Sequence, residues 1–207
     1  MTRGKYVEVY EAREFLDSLD DESVELFAVD PPYNGAVDAK WDNAWASDEA
    51  FAEWLSAIFL LAYPKLTPTG SLLFFGGSGF QGNRGLLRTI LHLDSSSYVY
   101  RNWITWKKRR AYGKSHDYLY CREELIWYSK SPERTGVTFN VPYLDEKHED
   151  GGRGWNPKYQ TKSEHKRVSN VWADINELFA PERVCEKPSP LAERIVLTHS
   201  NPGDLVA

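Results

Sequence analysis

The sequence predicts an α/β fold, one globular domain carrying an inserted region, and three observations support it. Val24–Val29 is a short apolar, β-leaning run and reads as a mostly buried strand. From Phe51 to Ala62 the apolar residues recur at three- and four-residue spacing, the pattern of a helix with one core-facing stripe. Ser71–Phe75 is a second apolar run of strand length. A chain of 207 residues, 42% hydrophobic and 27% charged, is long enough to bury a sizeable core.

Taken in order, Lys5–Tyr10 is expected to form a short strand and Ala12–Leu19 a short helix. The polar turn Asp20–Ser23 leads into the strand Val24–Val29. Asn34–Asn43 is a loop with few apolar residues, read as a lid or a plain connection. Ser47, followed by Asp48 and Glu49, is a good N-cap for the helix carrying Phe51, Trp54, Leu55, Ile58, Phe59 and Ala62. Pro64 and Pro68–Gly70 are expected to end that helix before the strand Ser71–Phe75. Gly76–Gly79 lacks the Lys-Ser/Thr of a phosphate-binding loop and reads as a tight strand-to-helix turn. A helix Asn83–Leu93 follows, then strands Tyr98–Trp106 and Glu123–Ser129. In a regular strand Trp103 and Trp106 point to opposite faces. Ser131–Asn170 is polar, has no sustained period and reads as an insertion. Val171-Trp172 begins a short element, and Pro190–His199 forms a helix with Leu191, Ile195 and Thr198 on one face.

The strand Val24–Val29 ends at Asp30-Pro31-Pro32-Tyr33. Two prolines forbid a direct turn into a helix, so the strand projects a stiff loop from the carboxyl end of the sheet, where open α/β folds bind ligands. That loop offers a carboxylate, a carbonyl outside any ladder and an aromatic face. The exocyclic amine of adenine is a poor nucleophile, because its lone pair is delocalised into the ring. Two acceptors on its hydrogens draw the nitrogen toward tetrahedral geometry. Asp30 and the Pro31 carbonyl are candidates for those acceptors, and Tyr33 for stacking on a base taken out of its helix. The alternative is a Pro-Pro turn with a capping Asp.

Asp30-Pro-Pro-Tyr-Asn34, Trp41-Asp42, Gly70–Phe75, Trp106-Lys107, Glu124–Lys130, Glu186-Lys187-Pro188 with Leu191–Ile195, and Asn201–Leu205 together resemble the β group of DNA amino-methyltransferases. The resemblance covers most of the chain. It implies a Rossmann-like doubly wound sheet, S-adenosylmethionine as methyl donor and double-stranded DNA as partner. It further implies methylation of adenine N6, since Asp at the first motif position is the form usual in those enzymes. Cytosine N4 is the alternative, and a DNA-binding remnant without catalysis a third reading. Catalysis then falls to Asp30, Pro31, Pro32 and Tyr33, and cofactor contacts to Asp30, Glu186, Lys187 and Pro188. The family's His-Pro before that last group is absent, Val184-Cys185 standing there instead. The resemblance divides the chain into a catalytic part (1–130), a target-recognition insertion (131–170) and a return to the catalytic domain (171–207). The family's Phe-x-Gly-x-Gly turn and ribose-binding acid would follow Ala207. The fold is therefore expected to be incomplete at its C-terminus, with an open sheet edge, weak cofactor binding, and a need for a complementing chain or self-association.

A net charge of −5 argues at first against a nucleic-acid partner, but the charge is unevenly spread. Residues 1–60 hold 14 acids and 4 bases, whereas Arg101–Lys114 holds six bases and no acid, and Arg153–Arg167 five bases and one acid. Phosphate binding needs local positive potential, so Lys107, Lys108, Arg109, Arg110, Lys114, Arg153 and Lys158 are the candidate DNA contacts. No apolar run is long enough to span a membrane and no signal segment is visible. Two cysteines without metal-like spacing suit a cytoplasmic protein with reduced thiols and no metal site.

Overall fold

The structure is a computed structural model and describes residues 9–77, 82–149, 163–179 and 185–207. Helices α1 (Ala12–Asp17), α2 (Asp48–Ala62), α3 (Gly85–Asp94) and α4 (Ser189–His199) surround a five-stranded sheet. Its strands are β1 (Val24–Val29), β2 (Leu66–Gly76), β3 (Val99–Tyr112), β4 (Tyr120–Ser129) and β7 (Val171–Trp172), in the order β1-β2-β4-β3-β7. β1 pairs parallel with β2 and β7 parallel with β3, while β4 runs antiparallel between β2 and β3. β5 (Tyr143–Lys147) and β6 (His165–Arg167) form a separate antiparallel pair.

Both faces of the sheet are covered, and the alternation along each strand shows how. Leu72, Phe74, Ile126 and Tyr128 pack with Phe51, Leu55 and Phe59 of α2 and with Leu86 and Leu93 of α3. Leu73, Phe75, Leu125, Ile104 and Trp106 pack on the other face with Leu191 and Ile195 of α4. A strand buried on both sides needs apolar residues at successive positions, which is why β1 and β2 read as continuous runs. Trp103 joins the first layer and Trp106 the second, as period-two geometry requires. The result is a Rossmann-like α/β fold. Ser47 caps α2 by accepting from the Ala50 amide at 3.1 Å, worth about 1 kcal/mol.

Several boundaries differ from expectation. Pro68–Gly70 lie inside β2 rather than ending a helix. The register there jumps from Val24↔Leu66 to Leu26↔Ser71, so Pro68 occupies a bulge where its missing N–H costs no ladder bond. The Thr67 and Thr69 hydroxyls in that bulge donate to the buried Glu25 carboxylate. β3 extends to Tyr112, beyond the expected Trp106. Its pairing with β4 shifts between Lys107 and Tyr112, and in that gap the Arg109 and Arg110 amides donate to the Glu177 carboxylate at 2.8 Å each. Of the expected strand Lys5–Tyr10, Lys5–Glu8 lie outside the described residues, and Val9 and Tyr10 are exposed and outside any strand.

The outer edge of β1 is not open. The turn Asn201–Asp204 reverses the chain after α4, and Gly203, at φ +100°, takes a conformation that side chains disfavour. Leu205–Ala207 then lie parallel to β1: Glu25 and Ala28 amides donate to Leu205 and Ala207 carbonyls, and the Ala207 amide donates to Leu26, all at 2.9 Å. The described part of Ser131–Asn170 is docked on α4 through Asn140. Its amide donates to the Thr198 carbonyl at 2.7 Å and its side-chain amide to the Leu197 and Ser200 carbonyls. No helix among the described residues is long and apolar enough to cross a membrane.

Candidate active site

Asp30 follows directly on β1, at the carboxyl end of the sheet. Pro31 is buried beneath it, and Pro32 and Tyr33 are half-buried. The chain must turn sharply after Tyr33, and Asn34 (φ +59°) and Gly35 (φ +106°) supply the left-handed conformations this requires. Asn and Gly are the residues that accept them at least cost.

What fixes the loop is Asp42, 1% exposed. Its Oδ1 accepts from the Tyr33 and Asn34 amides at 2.6 and 3.1 Å. Its Oδ2 accepts from the Gly35 and Val37 amides at 3.2 and 2.8 Å. Four backbone donors compensate the burial of this charge. From the other side, Asn83 donates to the Tyr33 and Asn34 carbonyls at 2.9 and 2.7 Å. Asn43 donates to the Val37 and Ala39 carbonyls at 2.8 Å each. The loop Asn34–Asn43 is thus a tethered wall. Glycines allow its close packing: a Cβ on Gly77 would stand 3.3 Å from the Tyr33 ring, and one on Gly76 only 2.7 Å from Leu86 of α3. Of the Gly76–Gly79 turn, Ser78 and Gly79 lie outside the described residues.

Around Asp30 the fold assembles a cluster of charges from three distant segments. The Tyr33 hydroxyl donates to Asp30 Oδ1 at 3.0 Å and lies 3.2 Å from Glu123 Oε2. Lys187 Nζ bridges Asp30 Oδ2 at 2.9 Å and Glu123 Oε2 at 3.2 Å. Lys108 pairs with the other oxygen of Glu123. Burial pushes the Tyr33 hydroxyl well above its ordinary pKa, and the Glu123 and Asp30 carboxylates add to the rise, so it stays a donor. Burial alone would raise Glu123, but the Lys187 and Lys108 ammonium groups outweigh it and hold the carboxyl below its usual range. Burial likewise opposes the charge on Lys187, and Glu123 and Asp30 more than restore it. Two carboxylates and two ammonium groups therefore share one partly desolvated site in balance.

The sequence-predicted residues divide accordingly. Asp30, Pro31, Pro32, Tyr33 and Lys187 meet at one cleft of about 240 Å³, also lined by Val37, Trp41, Asp42 and Cys185. Lys187, expected at the cofactor, bridges the two carboxylates. Cys185, at φ +62°, turns the chain just before it. Glu186 is exposed, and Pro188 is buried as the N-cap of α4. Among the candidate DNA contacts, Lys108 belongs to the Glu123 cluster and Arg110 reaches the Phe179 carbonyl and Glu177. Lys107, Arg109 and Lys114 are exposed on β3 and its hairpin tip. Arg153 and Lys158 lie outside the described residues. Arg101 is at the far end of β3, bonded to Ser129, Ser131 and Glu133. The residues that sequence reasoning missed are Glu123, which looked like part of a strand, and Asp42, noted only inside a motif. Among the described residues no group of His, Cys, Asp and Glu could hold a metal ion.

Residues 24–207 match the sequence model of the N6/N4 DNA methylase family. The Type II methyltransferase M.HpaI of Haemophilus parainfluenzae is 27% identical over 200 residues, covering 92% of this chain. The chain spans 58% of the length of that relative. Among solved structures, the cytosine-N4-specific PvuII DNA methyltransferase superimposes with a TM-score of 0.69 at 15% identity, over 96% of this chain and 71% of its own. The M1.HpyAVI–SAM complex does so with a TM-score of 0.54 at 18% identity, over 95% and 78%.

Proposed function

The chain belongs to the N6/N4 DNA methylase family, and from that premise we propose that it methylates an exocyclic base amine in DNA, adenine N6 in particular. The supporting observation is the Asp30–Pro31 acceptor pair, held at the sheet's carboxyl end by the buried Asp42 and facing a cleft. No hydrogen bond reaches the Pro31 carbonyl among the described residues, so its acceptor capacity is unused, and Pro31 lines the cleft. Asp30 is reached by the Tyr33 hydroxyl and by Lys187, which keeps Glu123 as its second partner when an amine takes its place on Asp30. The amine's two hydrogens then go to the Asp30 carboxylate and the Pro31 carbonyl, and its lone pair points away from both. The Asp30 carboxylate also stabilises the positive charge that grows on nitrogen, and it is the nearest base for the proton the product must lose. Tyr33 walls the base on the loop side.

S-adenosylmethionine, which the M1.HpyAVI complex contains as SAM, supplies the methyl group. The residues present suit its reacting end: Asp30 offers a carboxylate to a sulfonium, with Lys187 paired to it in space and Pro188 next to Lys187 in the chain, the cofactor contacts that the resemblance implies. The basic residues Lys107, Arg109 and Lys114, with Arg153 and Lys158, hold phosphates, and 131–170 reads the target. The cytoplasm is the matching compartment.

The test is methylation of plasmid DNA in a host free of adenine-N6 and cytosine-N4 marks, read base by base. Wild type should mark adenines within one short sequence. Asp30→Ala should lose at least about a hundredfold in rate, the scale of one lost transition-state hydrogen-bond partner, while its DNA affinity stays unchanged. Full activity in Asp30→Ala overturns the assignment, and marked cytosines would replace adenine N6 by cytosine N4.

A further inference from the structure

Trp41 has no role in the reading above, and packing among the described residues does not account for it. It belongs to neither hydrophobic layer and is 53% exposed. Its near neighbour Trp45 shows the contrast, packing against Trp54 at 4.5 Å and edge-on to Phe51 at 5.1 Å. Yet Trp41 is on a fixed part of the chain. It is the middle residue of a single 3-10 turn, Lys40–Asp42, whose last residue is the fully bonded, buried Asp42. Asn43, two residues after it, donates to the Val37 and Ala39 carbonyls before it and so closes the turn that carries Trp41. A large aromatic ring is thus held beside the cleft that Asp30, Lys187 and Tyr33 line.

Tyr33 is already engaged. Gly77 is close against its ring, Lys187 Nζ stands 5.4 Å from the ring centroid, and its hydroxyl is held at Asp30 and Glu123. A planar ring that brings an amine to Asp30 therefore finds its unoccupied aromatic surface at Trp41. Pro32, Ala36 and Val37 add apolar wall beside it, and Asp42 and Cys185 complete the lining. At about 240 Å³ the cleft falls below the ~300–1,000 Å³ of pockets for drug-sized ligands, which suits one heterocycle better than a whole nucleotide.

We propose that Trp41 is a base-binding residue, stacking on the purine or pyrimidine whose exocyclic amine Asp30 receives. The inference rests on the assignment of Asp30 as amine acceptor. Base–aromatic stacking tolerates every base, so Trp41 would strengthen binding while Asp30 and Pro31 select for an amine.

The chain labelled with 5-fluorotryptophan offers eight fluorine resonances, one per tryptophan, and Trp41→Phe identifies the one from Trp41. Deoxyadenosine and deoxycytidine are titrated separately, with thymidine, which lacks an exocyclic amine, as control. The Trp41 resonance should shift saturably with one of the first two and much less with thymidine. By saturation transfer on the nucleoside protons, Trp41→Ala should bind roughly ten- to a hundredfold more weakly, the size of one base–aromatic stack, and Trp41→Phe should keep most of the affinity. Saturable shifts confined to other tryptophans, or none at all, overturn the role of Trp41. A Trp41 shift unchanged in Asp30→Ala and equal for thymidine overturns the amine-acceptor reading instead, leaving a stacking residue without it.

Discussion

Asp42 offers the most direct test of how the catalytic loop is held. In Asp42→Asn one side-chain oxygen can still accept from two amides, but the other becomes an NH2 group facing two N–H donors. The pair lost is either Tyr33 with Asn34 or Gly35 with Val37. Hydrogen bonds to a charged group contribute about 1.5–3 kcal/mol each, so losing the Tyr33 and Asn34 pair costs roughly 3–6 kcal/mol before the loop relaxes. Losing the other pair costs less, since the Gly35 amide also donates to the Asp42 carbonyl at 2.7 Å. Total stabilities are about 5–15 kcal/mol, so the loop should open locally well before the sheet unfolds. The residues concerned belong to no strand, and Gly35 is exposed. Amide hydrogen exchange reads this directly. Exchange at one of the two amide pairs should rise by roughly a hundredfold or more in Asp42→Asn, while Leu72 and Leu73 in the core of β2 stay protected. Methyl transfer should fall with it, because Asp30 and Pro31 lose their fixed spacing. Wild-type exchange at all four amides in Asp42→Asn would show that the loop is held elsewhere, and the account of Asp42 as its anchor would be wrong.

Two further outcomes follow from the charges. His199 is buried against Trp127 and Phe139, its Nδ1 has no partner among the described residues, and burial pushes its pKa down to about 3. A folded-state value below the unfolded one of about 6.5 gives stability that is complete above pH 6.5 and lost on acidification, by about 1.4 kcal/mol per unit down to the folded value. Urea midpoints should therefore fall between pH 7 and 5, by less in His199→Phe, and an equal fall in both proteins would clear His199. For DNA binding, Lys107 and Arg109 are exposed and have no side-chain ion pair among the described residues, whereas Lys108 is paired with Glu123. Neutralising Lys107 and Arg109 should lower the slope of log affinity against log salt by about 2, at about 0.9 per phosphate contact. An unchanged slope would remove this part of β3 from the interface.

The sequence revealed what local rules decide. β1 was legible to the residue because a buried strand closed by two prolines has little freedom, and α2 because its cap and its stripe agree. The bulge in β2 was not legible: a proline ordinarily argues against a central strand, and only the jump in register with β1 removes the penalty at Pro68. The catalytic cluster divides the same way. Asp30 and Tyr33 are neighbours in the chain, and their chemistry shows in four letters. Glu123 and Lys187 come from a strand and a pre-helix turn 93 and 157 residues from Asp30, and nothing local distinguishes Glu123 from Glu124. Strand parity separates them: Glu124 faces the layer of Trp103, accepting from its indole at 2.5 Å, while Glu123 faces Tyr33 and Lys187. A single-residue shift in the register of β4 would turn Glu123 to the other face, and in the direction that brings Arg122 to its place Lys187 would keep Asp30 as its only carboxylate partner. An amine could then reach Asp30 only by breaking that ion pair outright. The ionic site thus depends on the pairing of β4 with β2 and β3 as much as on the loop that carries the motif.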